Sequence, residues 1–91
     1  LIEVNLLSKL KKLLQRIKKN PKQVRFEELD KILLHYGFNR RQPSRGSSHY
    51  SYFKGTKLIT IPFRQPHIKS IYVEQAIELL EGEIFDDNQE S

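Results

Sequence analysis

The sequence predicts a two-layer α+β domain in which helices cover one face of a three-stranded antiparallel sheet, in the order α-α-β-β-β-α. Apolar residues recur at helical spacing in three segments. Strand-type segments lie between the second and the third of these, and a short glycine turn joins two of the strands. The chain has 91 residues, 37% of them hydrophobic, which suits one small apolar core. We therefore predict a single domain over residues 1–85.

Two amphipathic helices are predicted in the first part of the chain. The first covers about residues 4–19, where leucine and isoleucine form one stripe between lysines and arginines. Asn20-Pro21 ends it, because proline disfavours the helical conformation in the residue before it. Residues 1–20 thus form an N-terminal extension that we expect to pack on the domain, although a basic amphipathic helix can also bind anionic membranes. The second helix covers about residues 26–36 and ends at a glycine.

Three strands and a third helix follow. The predicted strands cover residues 38–42, 49–54 and 57–63. In the last strand Ile59, Ile61 and Phe63 occupy alternate positions and are expected to face the core. The third helix begins near Ser70 and is predicted to end at Gly82. Residues 86–91 are polar and acidic, and we predict that they form a disordered tail.

Charge is segregated along the chain. All 16 lysines and arginines lie in residues 1–69, and no acidic residue lies between Lys31 and Val73. A basic, acid-free segment with interleaved aromatic residues is typical of proteins that bind a phosphate backbone, although it can also be a solvated face without a ligand. We favour a polyanionic partner. The basic residues of this segment that we predict to bind it are Arg40, Arg41, Arg45, Lys54, Lys57, Arg64 and Lys69.

Several other classes of protein lack support in the sequence. The absence of cysteine excludes a disulfide framework and a thiolate metal site. No apolar run reaches membrane-spanning length and no secretory signal is visible, so we expect a soluble, cytoplasmic protein. His35, His49 and His67 are too scattered along the chain to indicate a metal site. We expect no metal, no cofactor and no membrane partner.

His49 is the best candidate for chemistry, because it stands where a turn becomes a strand. Gly46 permits the turn, since it tolerates backbone conformations that other residues resist, and Arg45 adds positive charge beside it. Histidine exchanges a proton near neutral pH, so an imidazole here is able to act on a bound phosphate. The alternative is an ordinary surface histidine.

Three segments carry a family resemblance. Gly46-Ser47-Ser48-His49 opens the second strand, Thr60-Ile61-Pro62 leads into a polar loop with Lys69, and residues 71–77 lie in the closing helix. In this order the segments resemble the HicA family of mRNA interferase toxins, which has a Gly-Ser-(x)-His motif. Residues 20–29 resemble longer members with an added N-terminal helix, so the likeness spans about residues 5–81.

The resemblance implies a fold like the double-stranded-RNA-binding domain. It also implies a ribonuclease toxin that cleaves mRNA until a HicB-type antitoxin neutralises it. His49 takes the position of the family's catalytic histidine, and we expect it to act as a general acid or base without a metal. The chain departs from some members after the third strand, where the next histidine is delayed to His67. We carry no role over to His67.

The expected site combines His49 with a phosphate-binding surface. Backbone amides around Ser47 and Ser48 are expected to help hold the phosphate, together with nearby basic side chains. The sequence leaves the second proton-transfer group unidentified. A non-catalytic RNA-binding module is the alternative function, in which His49 only contacts a phosphate or caps the turn. A protein-interaction domain explains the first helix but not the acid-free segment.

Overall fold

The computed structural model describes residues 2–43 and 45–90, with side chains described in residues 9–43 and 45–82. The elements are α1 (Ile2–Lys19), α2 (Phe26–His35), β1 (Asn39–Arg41), β2 (His49–Lys54), β3 (Lys57–Pro62) and α3 (Ser70–Glu90). This order confirms the predicted α+β architecture. None of the helices, over the described residues, is long and apolar enough to cross a membrane.

The three strands form one antiparallel sheet in the order β1-β2-β3. Tyr52 lies opposite Ile59, and at the two ends of the β2–β3 hairpin His49 lies opposite Pro62 and Lys54 opposite Lys57. Residues directly opposite each other share a face, and the face alternates along each strand. Tyr52 and Ile59 therefore face the helices, and His49 lies at the open end of the hairpin.

One hydrophobic core lies between the sheet and all three helices. Each helix contributes a buried stripe, as the periodicity predicts. The buried residues of the helices include Leu10, Leu14 and Ile17 in α1, Leu29, Ile32 and Leu33 in α2, and Val73, Ala76 and Leu80 in α3. Full burial of such a side chain stabilises the fold by about 1.5–3 kcal/mol. α1 is therefore an integral part of the domain, in line with the expectation that it packs on it.

The end of the third helix differs from the prediction. α3 continues through Gly82 to Glu90, so the predicted end at Gly82 is wrong. Gly82 is not among the glycines with positive φ and keeps the helical conformation. A glycine inside a helix costs only about 1 kcal/mol relative to alanine, which is too little to end a helix by itself. Residues 86–90, predicted as a disordered tail, are helical, and Ser91 lies outside the described residues.

Phe63 also differs from the prediction, because β3 ends one residue before it. Pro62 has no N–H to donate to the ladder, which favours the end of the strand there. Phe63 is 36% exposed, rather than buried like Ile59 and Ile61. Its ring lies against Phe26, with 5.1 Å between the ring centroids. Phe63 thus covers the edge of the core.

A polar cluster fastens the sheet to α2. The fully buried Tyr52 donates its hydroxyl hydrogen to Asp30 Oδ1 at 2.6 Å. Arg40 Nη1 donates to both carboxylate oxygens of Asp30, at 2.9 and 3.1 Å. Burial raises the pKa of Tyr52, and the hydrogen bond to Asp30 and its charge raise it further. The hydrogen bond and charge of Asp30 also raise the pKa of Arg40.

We predict that Tyr52→Phe lowers the free energy of unfolding by about 2 kcal/mol, because a hydrogen bond to a charged group contributes about 1.5–3 kcal/mol. Urea denaturation at pH 7 measures the change. Tyr50→Phe is the matched control, since it removes a hydroxyl from the same face of β2, where the Tyr50 ring packs against Phe26. Equal losses in the two variants contradict a specific contribution from Asp30.

The pH dependence of the same variant gives a second readout. The unfolded tyrosine has a pKa of about 10, and the folded value lies above it. The native state therefore keeps a proton that the unfolded state releases, so this contribution is complete below pH 10 and is lost as the pH rises beyond it. Wild-type stability should fall more steeply between about pH 9.5 and 11 than that of Tyr52→Phe.

Candidate active site

A short turn sets the position of His49. Gly46 adopts φ +83°, a conformation that side chains disfavour, and a Cβ at this position would meet no atom within 4 Å. The requirement for glycine is therefore conformational. The Ser47 hydroxyl oxygen accepts the His49 backbone N–H at 3.2 Å and also lies 3.3 Å from His49 Nδ1. Ser47 thus contacts both the backbone and the imidazole of His49.

A backbone hydrogen bond joins this turn to the chain that leaves β3. Phe63 N–H donates to the Ser48 carbonyl oxygen at 2.7 Å. The contact continues the pairing of β2 with β3 by one step beyond His49 and Pro62. Residues after β3 are therefore held beside the imidazole.

His49 lines a cavity of about 310 Å³ together with residues from the end of β3 and the beginning of α3. Its lining residues are His49, Pro62, Phe63, Arg64, Lys69 and Tyr72. We call it the His49 cavity. Two of these side chains are cationic and none is acidic. The volume lies at the lower end of the range for small-molecule sites, and an anionic group is the ligand that the charges favour.

The structure brings together part of the predicted site. Arg64 and Lys69 line the His49 cavity. Ser47 and Ser48 hold the turn through the hydrogen bonds described above. Arg45 and Gly46 form the exposed turn that precedes them and are not among the residues that line the cavity.

Four other basic residues predicted to bind the polyanion do not line the cavity. Arg40 forms its ion pair with Asp30, and Lys54 Nζ donates to the Tyr36 carbonyl oxygen at 2.7 Å. Lys57 lies opposite Lys54 at the turn of the hairpin. Lys54 is five residues along β2 from His49, which corresponds to roughly 17 Å at the rise of a strand. The Arg41 guanidinium lies 5.6 Å from the centroid of the Phe53 ring.

Tyr72 is a cavity residue that the sequence analysis missed. It lies between Ile71, which is exposed, and Val73, which is buried, so the apolar pattern of α3 gives no sign of its position. Which helix face meets His49 depends on how α3 packs against the sheet. His67 does not line the His49 cavity.

Neither a metal cluster nor a relative identifies this site. Within the part of the chain that the structure describes, no group of three or more histidine, cysteine, aspartate or glutamate residues is placed to hold a metal ion. Comparison with family models, with curated proteins and with solved structures found no match to this chain. The likeness to the HicA family and to the double-stranded-RNA-binding domain therefore stays a prediction from the sequence.

We predict that Ser47→Ala changes the environment of the His49 ring, because it removes the hydroxyl next to Nδ1. The ¹⁵N chemical shifts of the His49 ring nitrogens should move and report an altered balance between the two neutral tautomers. Ser48→Ala is the matched control, since Ser48 contacts Phe63 through its backbone carbonyl. Ring shifts that respond equally to both substitutions would show that Ser47 does not position the imidazole.

Proposed function

We propose that this protein is an endoribonuclease toxin of the HicA type, which cleaves mRNA in the cytoplasm with His49 as a general acid or base. One observation carries the proposal: an exposed histidine lines a cavity whose charged side chains, Arg64 and Lys69, are both cationic. A proton-transfer group beside a cationic pocket suits chemistry on a phosphodiester. The sequence motif around His49 supports the same reading.

Metal-independent RNA cleavage needs two proton transfers and positive charge. The ribose 2′-oxygen forms a bond to phosphorus, and the bond from phosphorus to the 5′-oxygen breaks. A base takes the proton of the 2′-hydroxyl, an acid supplies a proton to the leaving 5′-oxygen, and the products are a 2′,3′-cyclic phosphate and a 5′-hydroxyl. His49 is suited to either transfer, because a neutral imidazole accepts a proton and an imidazolium donates one.

The remaining side chains of the cavity supply the other requirements. Arg64 and Lys69 would stabilise the negative charge that builds up on the phosphoryl oxygens in the transition state. The Tyr72 hydroxyl and the Lys69 ammonium group are further sources of a transferable proton in this cavity. We propose Tyr72 for the second transfer, since Lys69 is then left to hold the phosphate.

The proposal includes a partner. A toxin that cleaves mRNA must be neutralised in its own cell, and the family resemblance names a HicB-type antitoxin for this role. The runner-up function, a non-catalytic RNA-binding module, uses the same cationic cavity without proton transfer. The two functions differ in whether RNA is cut and in whether free expression of the chain arrests growth.

We predict that the chain cleaves RNA in the presence of EDTA and that His49→Ala lowers the rate by about 10²–10⁴-fold, the usual contribution of general acid–base catalysis. Product ends identified by mass spectrometry should include 2′,3′-cyclic phosphate. Growth should stop on expression of the wild type and recover when the cognate antitoxin is co-expressed.

His35→Ala is the matched control, because His35 lies at the end of α2 against Tyr36 and does not line the His49 cavity. It should cleave RNA at the wild-type rate. Equal cleavage by the wild type and His49→Ala would remove His49 from the mechanism. Binding of RNA without cleavage by any variant would favour the RNA-binding module.

A further inference from the structure

A second, larger cavity adjoins the His49 cavity. It has a volume of about 530 Å³, and two of its lining residues, Arg64 and Lys69, also line the His49 cavity. Lys22 and His67 complete its polar lining, together with the hydroxyl-bearing Ser70. We call it the Lys22 cavity. No acidic residue is among its lining residues.

The Lys22 cavity is built by two segments that are distant in sequence. The Ile68 N–H donates to the Val24 carbonyl oxygen at 2.9 Å, and both side chains are buried, with exposures of 2% and 0%. This contact fastens the segment after β3 to the linker between α1 and α2. It thereby places Lys22 beside His67 and Lys69. The cavity thus depends on tertiary structure that no local motif reveals.

The cations of the Lys22 cavity differ from the three basic residues that form ion pairs within the fold. Arg16, Lys18 and Arg40 form ion pairs with acidic side chains. Among the described residues, Lys22, Arg64 and Lys69 form no such ion pair, and all three are exposed. Three like charges around one concavity repel each other in the absence of a ligand, and an anion relieves that repulsion.

We propose that the Lys22 cavity binds a backbone phosphate of the RNA next to the phosphate that reacts in the His49 cavity. Arg64 and Lys69 lie between the two phosphates, and Lys22 contacts only the second. The identity of the ligand as RNA rests on the proposed function, whereas the phosphate subsite rests on the cavity and its charges. The subsite positions the strand without reading its sequence, as backbone contacts do.

Binding of RNA to a non-cleaving protein tests the subsite. The association constant for RNA falls as the salt concentration rises. In a His49→Ala background, Lys22→Gln should make the slope of its logarithm against log salt concentration less negative by about 0.7, the value for one lost phosphate contact on a single strand. The affinity near 0.15 M salt should fall roughly fourfold as a result. Lys31→Gln is the matched control, since it removes the same charge from an exposed position on α2 outside both cavities.

A modified RNA sharpens the comparison. Oligonucleotides that carry one neutral methylphosphonate, placed on either side of a fixed cleavage position, remove one phosphate charge at a time. In one of these two oligonucleotides the methylphosphonate replaces the phosphate that Lys22 contacts. Lys22→Gln should have no further effect on the affinity for this oligonucleotide, because the methylphosphonate and the substitution remove the same contact. Additive effects in both oligonucleotides would overturn the subsite.

The outcomes separate this inference from the proposed function. If wild type cleaves RNA but Lys22→Gln and Lys31→Gln have equal effects on binding, the subsite is wrong and the ribonuclease stands. If Lys22→Gln alone lowers the slope but wild type does not cleave, the subsite stands and the ribonuclease is wrong. If the chain binds no RNA at all, both are wrong.

Discussion

The segment from Phe63 to Lys69 depends on two backbone hydrogen bonds, and the candidate site depends on this segment. Near its beginning Phe63 N–H bonds to Ser48, and near its end Ile68 N–H bonds to Val24. The first bond holds the segment against the turn of His49, and the second holds it against the linker of Lys22. Because the segment is fixed at both ends, its charged side chains lie in two adjoining cavities rather than on a mobile loop.

Two groups of basic residues in this chain have different physical roles. One group stabilises the fold: Arg40 pairs with Asp30 beside the buried Tyr52 hydroxyl, and Lys54 bonds the carbonyl of Tyr36 at the end of α2. The other group, represented by Arg64 and Lys69, lines the cavities. The net charge of the chain counts both groups equally. A cation that is already bonded to a carboxylate or a carbonyl oxygen of the fold contributes less to the binding of a polyanion.

More of the fold than of the candidate site could be predicted from the sequence. Helical periodicity, strand alternation and the glycine turn between β2 and β3, at Gly55, predict the order of elements, because these signals are local. The helix end predicted at Gly82 is wrong, because a glycine caps the end of a helix where it adopts a positive φ, and Gly82 does not. The grouping of Tyr72 and Lys22 with the predicted Arg64 and Lys69 arises from tertiary packing. Arg40 and Lys54 have partners that are ten and eighteen residues away in the sequence, and composition does not reveal these contacts.

We propose that the His49 cavity holds the reacting phosphate of an RNA strand. The most direct test is NMR chemical-shift mapping of the wild-type chain with a 2′-fluoro RNA, which keeps the phosphates but lacks the nucleophile. We expect the largest shifts at four residues that line that cavity, His49, Arg64, Lys69 and Tyr72. Shifts centred on Lys54 and Lys57 at the far end of the hairpin, with His49 unchanged, would contradict it.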